Sequence, residues 1–289
     1  MKLHRAHLFI SILAITAVAF TGIPSRAQAP VFTFTQLDVP GSADTEADGI
    51  NAELQIVGFF HDTAGVMHGF LHQRGSFTQL DFPGSTSTRT VSINDLGVIA
   101  GSFTDAAGTA HGLVGRPGAF TRFDVPHAAT TSGLSINNAG VIAGAFTDSA
   151  GQTHGFVKRG NNFTQVDFPG GHNTIAFSIN DRDEIVGEFI NAAGVNHAFI
   201  RRRGIFTQFD PPGATSSVAF GINFLGIIVG SFTDVENAGH GFFDVAGHFT
   251  QVNFPGAAST DADGINIEGV IVGDYFDSAN VEHGFIAVH

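Results

Sequence analysis

Hydrophobic and polar residues alternate along this chain in short runs, and the runs return in the same order every 43 residues. One isoleucine shows the register: Ile50, Ile93, Ile136, Ile179, Ile222 and Ile265 are evenly spaced, and six units align without insertion or deletion. Each unit holds four runs rich in Ile, Val, Phe and Thr, separated by Gly, Asn and Asp, which is strand and turn chemistry rather than helix. In the third unit the runs are 131–137, 140–147, 153–159 and 163–168. They are joined by Asn137-Asn138-Ala139-Gly140, Asp148-Ser149-Ala150-Gly151 and Arg159-Gly160-Asn161-Asn162. Links this short predict antiparallel hairpins.

The turn between the second and third runs carries Gly65, Gly108, Gly151 and Gly194, then Asn237 and Asn280, at one position. Gly and Asn tolerate positive φ, so a single left-handed turn residue accounts for the column. Units are connected by longer, Pro-initiated links such as Pro83-Gly84-Ser85-Thr86, and the Pro ends the strand.

Meanders of four strands, repeated with longer crossings, predict an all-β fold: a six-bladed β-propeller with four-stranded blades. The repeats begin at Phe34, Phe77, Phe120, Phe163, Phe206 and Phe249. That fourth-strand column joins two others, Phe60, Phe103, Phe146, Phe189, Phe232 and Tyr275 in the second strand and Phe70, Leu113, Phe156, Phe199, Phe242 and Phe285 in the third. Together they hold most of the chain's Phe and read as core between blades. Gly58, Gly101, Gly144, Gly187, Gly230 and Gly273 fall inside the second strand, where Gly marks a bulge or a close approach. The first copy opens with a fourth strand and the last ends on a third, so residues 32–39 should pair beside 283–288 and close the last blade. An open stack of β-units would need capping repeats, and none is visible.

The runs Gly221-Ile222-Asn223, Ile228-Val229-Gly230 and His197-Ala198-Phe199 resemble the extracellular repeats of the HAF family. The resemblance covers all six units, from about residue 32 onward, although only the fourth has Ala after its His and no unit has a downstream Trp. It implies an exported repeat protein and adds no chemistry.

The N-terminus supports export on its own terms. Lys2 and Arg5 precede an apolar run from Leu8 to about Thr21, followed by small residues and Ser25-Arg26-Ala27, the three-part pattern of a secretory signal. We place the signal at 1–27 and the propeller at 28–289. The destination is secreted, periplasmic or cell-surface, without a membrane span after cleavage. The sequence has no Cys, so neither disulfides nor a lipid-anchoring N-terminal Cys enter the picture. Removing the signal leaves 10 basic against 26 acidic side chains, about −16. Such a surface repels phosphate backbones and anionic lipids, so nucleic acid is not an expected partner, and a monomer is the expected state. Arg201, Arg202 and Arg203 form the one basic cluster and read as a solvated hairpin tip.

Six His recur at 68, 111, 154, 197, 240 and 283. On the third strand they would lie about 10 Å beyond the innermost strand, too far apart to meet on an ion needing ligands near 2 Å. They read as structural, bonding a neighbouring strand or the first-strand Thr column. The Asn after each Ile, and the column Asp62, Asp105, Asp148, Asn191, Asp234 and Asp277, read as turn residues.

Function should lie where the six-fold pattern breaks. The largest break is at two first-strand positions spaced by two, hence on one face. In unit order they read Glu46 and Asp48, Arg89 and Val91, Ser132 and Leu134, Ile175 and Phe177, Val218 and Phe220, Asp261 and Asp263. In a closed ring this gathers Glu46, Asp48, Asp261 and Asp263, with Asp44 nearby, on one side of the channel. Arg89 stands at their edge, and Ile175, Phe177, Val218 and Phe220 form an apolar arc opposite. The acids are either solvated side chains at the last-formed interface, a Ca²⁺ site made of oxygen ligands, or carboxylates that raise one another's pKa for acid/base work. No other cofactor is implied. No nucleophile, base and orienter stand out together, so no catalytic residue is assigned. The leading expectation is a non-enzymatic scaffold binding a protein or glycan, with Arg89 and the apolar arc as ligand-binding residues. The alternative is a metal-assisted hydrolase or lyase acting on a sugar or lactone at the channel.

Overall fold

Each of the six units forms a four-stranded antiparallel sheet in the computed structural model, which describes residues 30–289. The expected export signal, 1–27, lies outside the described residues. Among these residues there are 24 strands and no helix, and hence no helix long and apolar enough to cross a membrane. The third unit shows how closely the runs became strands: Thr130–Ile136, Ile142–Thr147, Thr153–Arg159 and Asn162–Val166 pair in sequence order. Its second strand begins two residues later than the run, because Asn137 to Gly140 complete a hydrogen-bonded turn and Val141 is held by Asn137.

The first strand of every unit packs beside the first strands of both neighbouring units, so six sheets stand around one axis as blades. The ring is a six-bladed β-propeller. Its seam closes as the chain ends implied: Thr33–Leu37 pairs antiparallel with Glu282–Val288, from Thr33 opposite Val288 to Leu37 opposite Gly284. The last blade is thereby built from both termini, and the third strand of blade six keeps no free edge on that side.

The left-handed turn column is also present, and Asn237 and Asn280 adopt φ of 66° and 62° there. The core lies between blades: Val141, Ala143, Val157 and Val166 of blade three pack with Ala176, Ile179, Ile185, Phe189 and Phe199 of blade four. Third-strand Phe70, Phe156, Phe199, Phe242 and Phe285 are fully buried. Phe103, Phe189 and Tyr275 of the second strand are stacked at 3.7 Å by Phe82, Phe168 and Phe254. Those three stacking rings come from the links just before Pro83, Pro169 and Pro255, so the crossings pack the core as well as connect blades.

The second-strand glycines mark a close approach. The bulge itself sits across from them on the first strand, where Ala47 pairs with Gly58 and Gly49 with Val57, leaving Asp48 unpaired. A Cβ on Gly58 would run into the Glu46 carbonyl oxygen and the Phe70 ring. The same irregularity recurs between Thr90 and Ser92, Gly133 and Ser135, Ala176 and Ser178, Ala219 and Gly221, and Ala262 and Gly264. Each blade therefore sets one extra residue into its innermost strand.

The Asn column does more than form turns. The Asn51 side chain accepts backbone N–H bonds from Glu53 and Gln55 and donates to the Asn94 carbonyl in the next blade at 3.1 Å. Asn94, Asn137, Asn180, Asn223 and Asn266 repeat the donation, and Asn266 returns it to Asn51. A closed circle of side-chain amides holds one end of the channel.

Candidate functional site: the central channel

The bulges decide what faces the axis. Their unpaired residues Asp48, Val91, Leu134, Phe177, Phe220 and Asp263 all line one central cavity of about 260 Å³. The cavity reaches the face carrying the first turns of the blades, where Asp95, Asn138, Asp181 and Phe224 are exposed at its rim. Phe177 and Phe220 meet edge to face, ring centres 5.0 Å apart, and with Val91 and Leu134 make the apolar wall.

Of the two positions expected to share a face, the second enters the cavity in every blade. The first does so only as Glu46, Arg89 and Asp261. Ile175 and Val218, expected in the apolar arc, do not line it. A strict period of two would have placed them there, but the bulge falls on the second position itself, the residue left unpaired, and turns it toward the axis. Arg89, at the first position of blade two, also reaches back to the preceding blade, its guanidinium 4.5 Å over the Phe59 ring of blade one.

The acidic side assembles as expected and extends further. Arg89 Nη2 donates to Glu46 Oε1 at 2.6 Å and to Asp48 Oδ1 at 2.9 Å. Asp261 stands directly opposite Asp274 across the first two strands of blade six. Glu46, Asp274 and Glu282 each bring a carboxylate oxygen within 4.8 Å of the others, an arrangement able to hold a metal ion. Because Asp274 and Glu282 lie on the second and third strands, the acidic wall runs outward from the channel along the seam between blades six and one. Asp44 stays near this group as expected, its charge acting on Glu282, while it bonds the backbone N–H and ring of His61 outside the cavity wall.

Asp274 and Glu282 were missed in the sequence, because each stands in a column too varied to mark it. Theirs read Phe59, Ser102, Ala145, Glu188, Ser231, Asp274 and Met67, Ala110, Thr153, Asn196, Gly239, Glu282. Both join the site through strand register and seam closure, which a search of first-strand positions alone does not reach.

Crowding of acids sets the electrostatics. Burial holds Asp48, Asp263 and Asp274 well above the ordinary carboxylate range; Glu46 adds to the rise in all three, while Arg89 opposes it at Asp48. Burial, then the charges of Glu46, Asp44 and Asp261, push Glu282 up to about 7. Arg89 is driven further above its usual value by Asp48 and Glu46, against the opposing effect of burial.

The six His stay outside the channel, as the strand spacing implied, and of the two partners expected it is the neighbouring strand that they meet: Gln79, Gln165 and Gln36 of the outermost strands reach His68, His154 and His283. His68, His111, His154, His197 and His283 bond through Nδ1 to Asp81, Asp124, Asp167, Asp210 and Asp38, which follow the outermost strands. His111, His154 and His240 also reach the turn acids Asp105, Asp148 and Asp234 through Nε2. The first-strand Thr is taken elsewhere, since Thr45, Thr88, Thr131, Thr174 and Thr260 accept the backbone N–H of the preceding link. Arg201 to Arg203 form a hairpin tip as expected, with Arg202 paired to Glu184.

No family model matches the chain, and no curated protein matches it in sequence. Solved structures resemble it in shape. AofleA from Arthrobotrys oligospora aligns with a TM-score of 0.55 at 11% identity, over 89% of this chain and 86% of that one. A variant of the Aleuria aurantia lectin, solved with Fucalpha1-6GlcNAc, aligns with a TM-score of 0.54 at 10% identity, over 85% and 93%. Trypanosoma rangeli sialidase aligns with a TM-score of 0.52 at 8% identity, over 90% and 60%. The likeness is one of fold.

Proposed function

We propose that this protein is an exported, non-enzymatic propeller that binds a carbohydrate in its central channel. The observation that carries the reading is the two-sided cavity, with Phe177 and Phe220 on one wall and Asp48 and Asp263 lining the same space. A sugar ring has an apolar C–H face and an edge of hydroxyl donors. Aromatic rings take the first, and carboxylates accept from the second. The cavity is smaller than the roughly 300–1,000 Å³ typical of pockets for drug-sized ligands, which suits a terminal sugar unit better than the interior of a long chain. The lectin complexed with Fucalpha1-6GlcNAc supports this choice of ligand class at the level of fold. The secretory pattern at the N-terminus and the resemblance to HAF repeats support an extracellular setting for it.

A screen of immobilised glycans with the chain lacking 1–27, followed by Phe177→Ala with Phe220→Ala, tests the reading. Binding of a defined sugar that the double variant loses, with its unfolding midpoint retained, is the expected result. Hits unchanged by the variant would place recognition elsewhere on the ring. The closely spaced acids, one of them Glu282 near 7, also fit hydrolysis or lysis of a bound sugar. Release of a new reducing end during incubation with the hit would favour that second reading.

A further inference from the structure

We infer that the seam between blades six and one is a Ca²⁺ site whose donors are Glu46, Asp274 and Glu282. Their carboxylate oxygens lie within 4.8 Å of one another, and an ion held at about 2.4 Å from each donor spans that distance. The donors are all oxygen, which selects a hard cation over zinc or copper. They sit on three strands of two blades, so the register that closes the ring also brings the ligands together.

Two further features point to an occupant. Asp48 lines the same cavity at 8% exposure, and its Oδ2 is buried without a hydrogen-bond partner. The Oδ2 of Asp263, also in the wall, is buried and unpartnered as well. A buried carboxylate oxygen without a donor is destabilising, and here two occur beside the three-carboxylate group. The fold supplies one base to the cluster, Arg89, and its ion pairs go to Glu46 and Asp48. Among the described residues no Lys or Arg pairs with Asp261, Asp263, Asp274 or Glu282. A divalent cation brings the positive charge that the chain itself does not place there.

This inference does not rest on carbohydrate binding, and its test uses no sugar.

The test is thermal unfolding of the chain lacking 1–27 in EDTA, in millimolar Ca²⁺ and in millimolar Mg²⁺, together with calorimetric titration of Ca²⁺. Calcium is expected to raise the midpoint by about 5 °C over EDTA and to bind with a stoichiometry of one. Asp274→Asn with Glu282→Gln keeps size and shape while removing charge. It is expected to be at least as stable as the parent in EDTA and to lose the calcium response. Equal midpoints in Ca²⁺ and EDTA with no heat of binding would overturn the inference. So would a calcium response that survives in the double variant, and equal stabilisation by Mg²⁺ would remove the assignment to calcium.

Discussion

Asn266 donates its side-chain amide to the backbone carbonyl of Asn51, 3.2 Å away and 215 residues earlier in the chain. This bond completes the circle of six amides, and it links the blade that contains both termini to the first complete one. The Asn266 Oδ1 meanwhile accepts the Val270 N–H inside its own turn. Asn266→Ala takes one donor from the Asn51 carbonyl, which keeps the Leu54 N–H, and leaves the half-buried Val270 N–H without its acceptor, so a loss of about 1–2 kcal/mol is expected. Urea unfolding measures it. A loss below about 0.5 kcal/mol would mean that the circle is incidental to stability.

The first strand, Thr33–Leu37, covers the edge of Glu282–Val288. Removing residues 30–40 uncovers a row of backbone donors and acceptors able to pair with another chain. The truncated protein is expected to unfold at a lower temperature and to self-associate. Size-exclusion chromatography with a thermal scan checks this, and an unchanged monomer with an unchanged midpoint would contradict shared closure of the blade.

Leu54 adopts φ of 57° in the turn where blades two, three, five and six place Gly97, Gly140, Gly226 and Gly269. A left-handed conformation costs a non-Gly residue roughly 1–2 kcal/mol, and Gly gives back about 0.5–1 kcal/mol in chain entropy. Leu54 is exposed, so little packing is lost. Leu54→Gly should raise stability by about 0.5–1 kcal/mol, seen as a higher urea midpoint with the same slope.

Two groups of acids pull stability in opposite directions with pH. Backbone N–H bonds, first among the causes, hold Asp62, Asp105, Asp148, Asp234 and Asp277 below the ordinary value of 3.8. Their contribution is present above that value and is lost as pH falls through their folded values. Burial does the reverse at Glu188 and Glu282, raising each from 4.5 to about 7. The folded state then holds protons that the unfolded chain releases, so stability is highest below 4.5 at these two sites and declines as pH rises to 7. With metal removed, the stability maximum is expected between about pH 3.8 and 4.5, where the first contribution is present and the second not yet lost. Glu188, bonded to Asn196 at 2.8 Å, gives a clean check. Glu188→Gln should flatten the decline between pH 5 and 7 and gain roughly 1–2 kcal/mol at pH 8. An unchanged slope would contradict its assignment.

The fold was legible because each unit states it again. Six copies of one turn column, one Pro link and one Gly column leave few arrangements, and the odd strands at the two ends determine how the ring closes. The site was half legible. Glu46, Asp48, Asp261, Asp263, Arg89, Phe177 and Phe220 were found by asking where the repeat breaks along the innermost strand, and all seven line the cavity. Ile175 and Val218 misled because alternation assumes an unbroken pleat, whereas a bulge at Phe177 and Phe220 separates their directions from those of Ile175 and Val218. Asp274 and Glu282 needed the cross-strand register of blade six, which brings Asp274 opposite Asp261; their own columns are too varied to mark them, that of Asp274 holding Glu188 as well. The His column was correctly set aside on distance, but its partners depend on where the outermost strand ends, which spacing along one strand does not reveal.

The number of sugars bound per chain tests the channel reading most directly. Six near-identical blades would present six equivalent sites to any ligand recognised by the repeated columns, whereas the broken symmetry at Asp48, Phe177, Phe220 and Asp263 occurs once, on the axis. Calorimetric titration of the best glycan from the screen should give one site per chain, abolished by Phe177→Ala with Phe220→Ala. A stoichiometry near six, insensitive to that variant, would contradict it.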